Sequence, residues 1–74
     1  MSFVRKRSVA IRGHRTSFSL EDIFYRDLEQ IASERNLPLA ALVAEIDAAR
    51  PKEANLSSAL RLHVLACAKR RTPL

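Results

Sequence analysis

The spacing of apolar residues changes its period at Leu20, and this change limits the folds that the chain can adopt. Before Leu20 the side chains alternate with a period of two, which is typical of an extended strand. One side of this strand carries Thr16, Phe18 and Leu20, and the other carries Arg15, Ser17 and Ser19. After Leu20 the apolar residues follow helical spacing, at Ile23, Phe24, Leu28, Ile31 and Ala32. The pattern predicts one short strand over about 14–20, followed directly by helices.

Three helices are predicted after the strand. The first spans about 21–35 and ends at Asn36, a residue that adopts the left-handed conformation readily. The second spans about 38–49, because Pro38 suits the first turn of a helix. The third spans about 55–70, with Asn55 as its N-cap and Pro73 beyond its end. Residues 72–74 form a short tail.

The segment before the strand is basic. Residues 1–7 are predicted to be a flexible arm, and the folded domain to span 8–71. Val9 and Ile11 lie at odd positions, whereas Phe18 and Leu20 lie at even positions. This shift predicts a bulge or bend at Gly13-His14.

The chain is short for a stable core of its own. Its 74 residues include one cysteine, Cys67, so no internal disulfide can form. Cys67 and His63 lie four positions apart and supply only two metal ligands, so we interpret them as part of a packed helix face. Because a lone strand has no ladder partner and the third helix is apolar around much of its surface, we expect a two-fold homodimer. Its strands would form an antiparallel ribbon between the two chains.

Charge is distributed unevenly around a net value of +5. Residues 1–15 and 55–74 hold bases and no acid, whereas all eight acids fall within 16–54. Basic ends around an acidic middle indicate a polyanionic partner, although solvated tails would have the same composition. The run Lys69-Arg70-Arg71 fits either interpretation. No signal peptide or membrane span is evident, so we expect a cytoplasmic protein with no membrane partner.

Three segments of the chain resemble the ribbon-helix-helix superfamily of Arc, MetJ and CopG type. They are RSVAIRGHRTSFSLED, LPLAALVAEIDAAR and NLSSALRLHVL, and the similarity extends from about Arg7 to Leu65. Within the superfamily, the chain is most similar to short bacterial proteins known only as carrying this domain. The resemblance implies a mostly α fold with one short strand, an intertwined dimer and, here, an extra C-terminal helix. The expected dimer core is Phe18, Leu20, Phe24, Leu28, Leu42, Val43, Ile46 and Leu60.

The resemblance also implies a site. In the superfamily the paired strands lie in the DNA major groove, which makes Arg15, Ser17 and Ser19 the expected base contacts. Arginine can bond guanine through two atoms, and serine can donate or accept. Ser19 has an alternative role as the cap of the first helix. The expected phosphate contacts are Arg5, Lys6, Arg7, Arg12 and His14, with the N–H groups of Leu39 and Ala40.

One departure from the superfamily concerns the second helix. Its start, Asn36-Leu37-Pro38, lacks the usual Ser or Thr cap, and Pro38 removes one N–H from a phosphate clamp. We expect a bacterial transcriptional regulator, repressor or antitoxin-like, that binds specific duplex DNA without a cofactor, a metal or enzymatic activity. The alternative is a scaffold whose third helix docks a cognate protein partner without specific DNA readout.

Overall fold

The structure is a computed structural model that describes residues 3–71, with side chains described for residues 3–70. Two strands, β1 (Val4–Ile11) and β2 (His14–Glu21), precede three helices, α1 (Asp22–Glu34), α2 (Leu39–Ala49) and α3 (Leu56–Arg71). The predicted tail at 72–74 and the first two residues of the predicted arm lie outside the described residues.

The two strands pair with each other as an antiparallel hairpin. The ladder runs from Val4 opposite Glu21 to Ile11 opposite His14. A two-residue turn joins them, with φ of 51° at Arg12 and 80° at Gly13. Positive φ at both central residues is what a type I′ turn requires, and its twist matches that of the strands.

The hairpin corrects the prediction of a single strand behind a flexible arm at 1–7. From Val4 onward this segment is a strand, because the ladder of β2 satisfies its backbone groups within the same chain. The predicted bulge at Gly13-His14 is instead this tight turn. A two-residue turn pairs odd positions with even ones, as Val9 with Thr16, and this pairing accounts for the shift in parity.

One face of the hairpin packs on the helices. Phe18 and Leu20 of β2 are buried in the core, and Val9 and Ile11 of β1 are partly buried against it. The core itself consists of Phe18, Leu20, Leu28, Ile31, Ala32, Leu42, Val43, Ile46, Leu56, Leu60 and Val64. Seven of the eight expected dimer-core residues are therefore buried within a single chain, and the eighth, Phe24, packs at its margin.

The connection between α1 and α2 is closed by backbone hydrogen bonds. Asn36 has φ of 56°, in the left-handed region that its sequence position predicts. The N–H of Leu37 donates to Ala32 O at 2.8 Å, and the N–H of Asn36 donates to Ser33 O at 3.0 Å. These two bonds form a Schellman motif, which satisfies carbonyls at the end of α1.

The helix starts differ from one another. At α3, Asn55 Oδ1 accepts a hydrogen bond from the N–H of Ser58 at 2.7 Å, as expected of an N-cap. At α1 the cap position is Glu21, with no side-chain capping bond. The capping role considered for Ser19 is therefore wrong, because β2 continues through Glu21 and keeps Ser19 inside the strand.

The third helix buries only one of its apolar stripes. Leu56, Leu60 and Val64 are in the core, while Leu62 is 61% exposed and Leu65 is 48% exposed. Among residues 3–71, no helix combines the length and the apolar content needed to cross a membrane.

Candidate nucleic-acid interface

The residues predicted to contact bases lie on the outer face of the hairpin. Residues opposite each other in an antiparallel pair project to the same face. The register therefore places Arg15 with Ala10, Ser17 with Ser8, and Ser19 with Lys6. All six residues are exposed. The structure thus brings Arg15, Ser17 and Ser19 together on one face, and it adds a second row from β1.

Ser8 belongs to this face although the sequence did not identify it. Nη1 of Arg15 lies 3.4 Å from Ser8 Oγ, a long hydrogen bond that directs the guanidinium across the ribbon. A guanidinium has five N–H donors, so most of those of Arg15 stay available to a ligand. The alternation of side chains around Ser8 could have indicated a strand there. Only the register between β1 and β2 shows which β2 residue lies beside Ser8.

Ser19 lies where the ribbon meets α3. Its N–H donates to Ser57 Oγ at 3.0 Å. A small polar cleft of about 310 Å³ lies here, lined in part by Lys6, Ser17 and Asn55. Of the three predicted base contacts, Arg15 is the farthest along β2 from this junction and the nearest to the turn.

The turn end of the hairpin is basic. Arg12 and His14 are exposed beside Gly13, and Arg15 follows on the outer face. Glu21, the one acid of the hairpin, lies at the opposite end and is ion-paired with Arg61 at 3.0 Å. A backbone hydrogen bond within Glu21 itself, together with the hydrogen bond from Arg61, lowers the pKa of Glu21. The carboxylate therefore stays ionised, and the positive charge of Arg61 balances it.

Two arginines of β1 lie on the other face, against α1. The side chain of Arg7 is only 18% exposed and forms an ion pair with Asp22. Its guanidinium carbon lies 4.0 Å from the centroid of the Tyr25 ring. Nε of Arg5 lies 3.4 Å from the same Asp22 carboxylate. Both arginines are among the predicted phosphate contacts, and within the chain each has Asp22 as an ion-pair partner.

The start of α2 presents backbone donors. Pro38 occupies the cap position without a side-chain capping bond, and its carbonyl accepts from the N–H groups of Ala41 at 3.0 Å and Leu42 at 3.2 Å. Leu39 and Ala40 precede these residues, so their N–H groups have no acceptor inside the helix.

An apolar groove runs between the end of α2 and the middle of α3. It has a volume of about 470 Å³, and Ile46, Ala49, Pro51, Ala59 and Leu62 supply most of its lining. Glu45, Arg50 and His63 also line it. Burial lowers the pKa of His63, with Arg70 acting in the same direction.

The residues considered for a metal do not form a cluster. Cys67 contacts Arg70, whose Nη2 lies 3.3 Å from the sulfur. Within the described part of the chain, no group of three or more His, Cys, Asp or Glu side chains is placed to hold a metal ion.

Comparison with known proteins identifies a family that the chain resembles. A family model described as a ribbon-helix-helix domain matches residues 4–68. This match begins at the first residue of β1 and ends near the end of α3, so it includes the hairpin and the extra helix. No curated protein and no solved structure matches the chain.

Proposed function

The chain belongs to the ribbon-helix-helix domain family, and on this premise we propose that it is a dimeric repressor that reads duplex DNA with the outer face of its β1–β2 hairpin. The family is in general one of DNA-binding regulators and not of enzymes. In a bacterial cytoplasm such a protein acts on promoters, either alone or as the antitoxin member of a pair.

The observation that carries the proposal is the composition of the exposed outer face. Arg15, Ser17 and Ser8 stand together on a two-stranded ribbon, and the major groove is wide enough to admit such a ribbon. Arg15 provides a pair of donors suited to guanine, while the hydroxyls beside it donate or accept. Ser19 is a weaker base contact, because it lies next to α3.

A reading face must also be held rigidly. Phe18 and Leu20 anchor β2 in the core, and the pairing of Arg7 with Asp22 fastens β1 to α1. Side chains proposed to contact DNA alternate with buried side chains along the same strands. The packing of the core therefore fixes the positions of the side chains on the outer face.

Phosphate contacts are proposed for the exposed bases that have no acidic partner in the part of the chain that the structure describes. Arg12 lies in the turn, His14 directly follows it, and Lys6 lies on the outer face. The N–H groups of Leu39 and Ala40, and the exposed Lys69 and Arg70, are further candidates. Arg5 and Arg7 are left out, since both form an ion pair with Asp22. A dimer would carry twice the chain's charge of +5, which favours approach to DNA.

The experiment is a selection from a random duplex library, followed by gel-shift titration of the enriched sequence at two salt concentrations. Arg15→Ala should weaken binding to that sequence by about 5- to 150-fold, or about 1–3 kcal/mol, and relax its base preference. The matched control is Arg26→Ala, an exposed arginine of α1 that has no ion pair among the described residues. It removes the same charge, and we expect little change. Equal losses in both variants would mean that Arg15 reads no base.

The apolar groove favours a second candidate function, a scaffold that docks a protein partner. Leu62 lines the groove and remains 61% exposed in the single chain. The same selection separates the two functions. An enriched motif that depends on Arg15 supports the DNA-binding regulator, whereas a folded protein that enriches no sequence supports the scaffold.

A further inference from the structure

We propose that Lys6 is a second specificity-determining residue, which contacts a guanine at the opposite end of the outer face from Arg15. The inference rests on the proposed function and deepens it, because it names a feature of the DNA sequence that the hairpin recognises. The proposed function counts Lys6 among the phosphate contacts on the basis of its charge and exposure. Its place in the strand pairing supports a base contact instead.

Lys6 differs from its two basic neighbours in the face to which it projects. Arg5 and Arg7 lie on the face of β1 that is turned to α1, and both form an ion pair with Asp22. Because side chains alternate along a strand, Lys6 lies on the outer face. It is exposed, and no described residue forms an ion pair or a side-chain hydrogen bond with it. The ammonium group is therefore available to a ligand of this face.

Lys6 is also the longer side chain at its end of the ribbon. It lies opposite Ser19, whose hydroxyl is close to the backbone and whose N–H donates to Ser57. A lysine has a flexible four-carbon stem with three N–H donors at its tip. Lys6 can therefore reach farther from the sheet than Ser19, beside the cleft that both residues line. Lysine, like arginine, binds the O6 and N7 acceptors of guanine in the major groove.

The strand register sets the distance between the two cations. Lys6 and Ala10 are four residues apart on β1, and Ala10 lies directly opposite Arg15. At about 3.3 Å per residue, the two ends of the outer face are about 13 Å apart. Ten base pairs of DNA occupy about 34 Å, so this separation corresponds to about four base pairs. A ribbon that lies along the major groove therefore places its two cations over base pairs about four positions apart.

The residues between the two cations are less selective. Ser8 and Ser17 face each other at the centre of the outer face. A serine hydroxyl both donates and accepts, so it can contact more than one kind of base. The recognised half-site should therefore contain two strongly preferred G·C pairs, about four positions apart, with weaker preferences between them.

The test is a selection of the wild-type protein and of Lys6 variants from the same random duplex library. Lys6→Ala should lose the preference at one of the two G·C positions and keep the other, whereas Arg15→Ala should do the reverse. On the wild-type sequence, Lys6→Ala should weaken binding by about 5- to 150-fold, as the loss of a base contact does. Lys6→Arg should keep guanine at this position, because arginine binds the same two acceptors.

A change of preferred base is the sharpest readout. Glutamine binds adenine through N6 and N7, so Lys6→Gln should shift the preference at that one position from guanine to adenine. A residue that contacts phosphate carries no sequence information and would not produce this shift. The matched control is Lys52→Ala, which removes the same charge from an exposed lysine between α2 and α3. We expect little change in its affinity and none in its preferred sequence. Circular dichroism checks that each variant keeps its helices.

Two results would overturn the inference and leave the proposed function standing. In the first, Lys6→Ala weakens binding to all sequences alike and lowers the slope of log affinity against log salt by about one, as the loss of a phosphate contact does. In the second, Lys6→Gln keeps the wild-type preference at every position. A wild-type protein that enriches no motif would refute the proposed function, and this inference with it. An enriched motif that depends on Arg15 separates the first two results from the third.

Discussion

The guanidinium carbon of Arg7 lies over the ring of Tyr25, 4.0 Å from its centroid. The same group is ion-paired with Asp22, so one arginine joins β1 to two positions on α1. A basic residue near the start of the chain thus serves to fix the ribbon on the helices.

Replacing Tyr25 should weaken this attachment. Tyr25→Leu removes the ring and should lower the free energy of unfolding by about 0.5–2 kcal/mol through loss of the cation–π contact. Tyr25→Phe keeps the ring and should remain close to the wild type. Urea unfolding followed by circular dichroism measures both. Equal stability of the two variants would show that the ring contributes nothing beyond its bulk.

The turn offers a stabilising substitution. Arg12 has φ of 51°, a conformation that asparagine adopts more readily than arginine, so Arg12→Asn should raise the unfolding temperature. Gly13→Ala should lower the free energy of unfolding by about 1–2 kcal/mol, because alanine is strained at positive φ. The open space around Gly13 leaves the backbone as the sole cause. A stabilising Gly13→Ala would contradict the turn geometry.

The N-cap of α3 can be tested alone. Asn55→Ala removes the acceptor of the Ser58 N–H and should cost about 0.5–2 kcal/mol of stability. Asn55→Asp restores an acceptor and adds a negative charge at the helix start, so it should match or exceed the wild type. Thermal unfolding of the three proteins checks this order, and an alanine variant as stable as the aspartate variant would contradict it.

Acid should destabilise the fold in two separate ranges. The folded pKa of His63 lies below its ordinary value of 6.5, mainly because of burial, so the unfolded chain takes up the proton first. Stability should fall as the pH drops from 6.5 through the lowered pKa. Above 6.5 this residue should have no effect.

The second range lies at more acidic pH. The hydrogen bond from Arg35 lowers the pKa of Glu45, so that this pair contributes above the ordinary value of 4.5 and is lost as the pH falls through the lowered pKa. His63→Gln should abolish only the first range in a series of urea titrations between pH 7 and pH 3. Persistence of both ranges in that variant would exclude His63 as the cause of the upper one.

Local signals in the sequence were sufficient for most of the helical fold. Asn36 and Asn55 act on backbone groups within four positions, so a short window of sequence contains both the cap and its target. The spacing of apolar residues likewise predicted which residues of β2 and of the helices are buried. These features need no knowledge of the rest of the fold.

The first strand could not be read in the same way. The partner of Arg7 is Asp22, 15 positions away, and without that partner the bases of β1 resemble a solvated arm. Arg12 is also not a typical residue for a turn with positive φ. Alternation along β2 was enough to predict which of its side chains face outward. The proximity of Ser8 to Arg15 depends on the register between the two strands, and only the folded hairpin fixes that register.

Because the two-residue turn keeps the hairpin contacts local, the hairpin can form much faster than the contacts between the hairpin and the helices. The hairpin closes through neighbouring residues, in about 1–10 μs. The contact of Ser19 with Ser57 spans 38 positions, and at about 5–20 residues per second the ribosome needs seconds to deliver the second partner. A two-stranded hairpin alone is marginally stable, so it opens and closes many times in that interval. During synthesis the hairpin is therefore already at equilibrium between its open and paired forms when the helices leave the ribosome. We expect each helix that docks on the hairpin to shift this equilibrium towards the paired form.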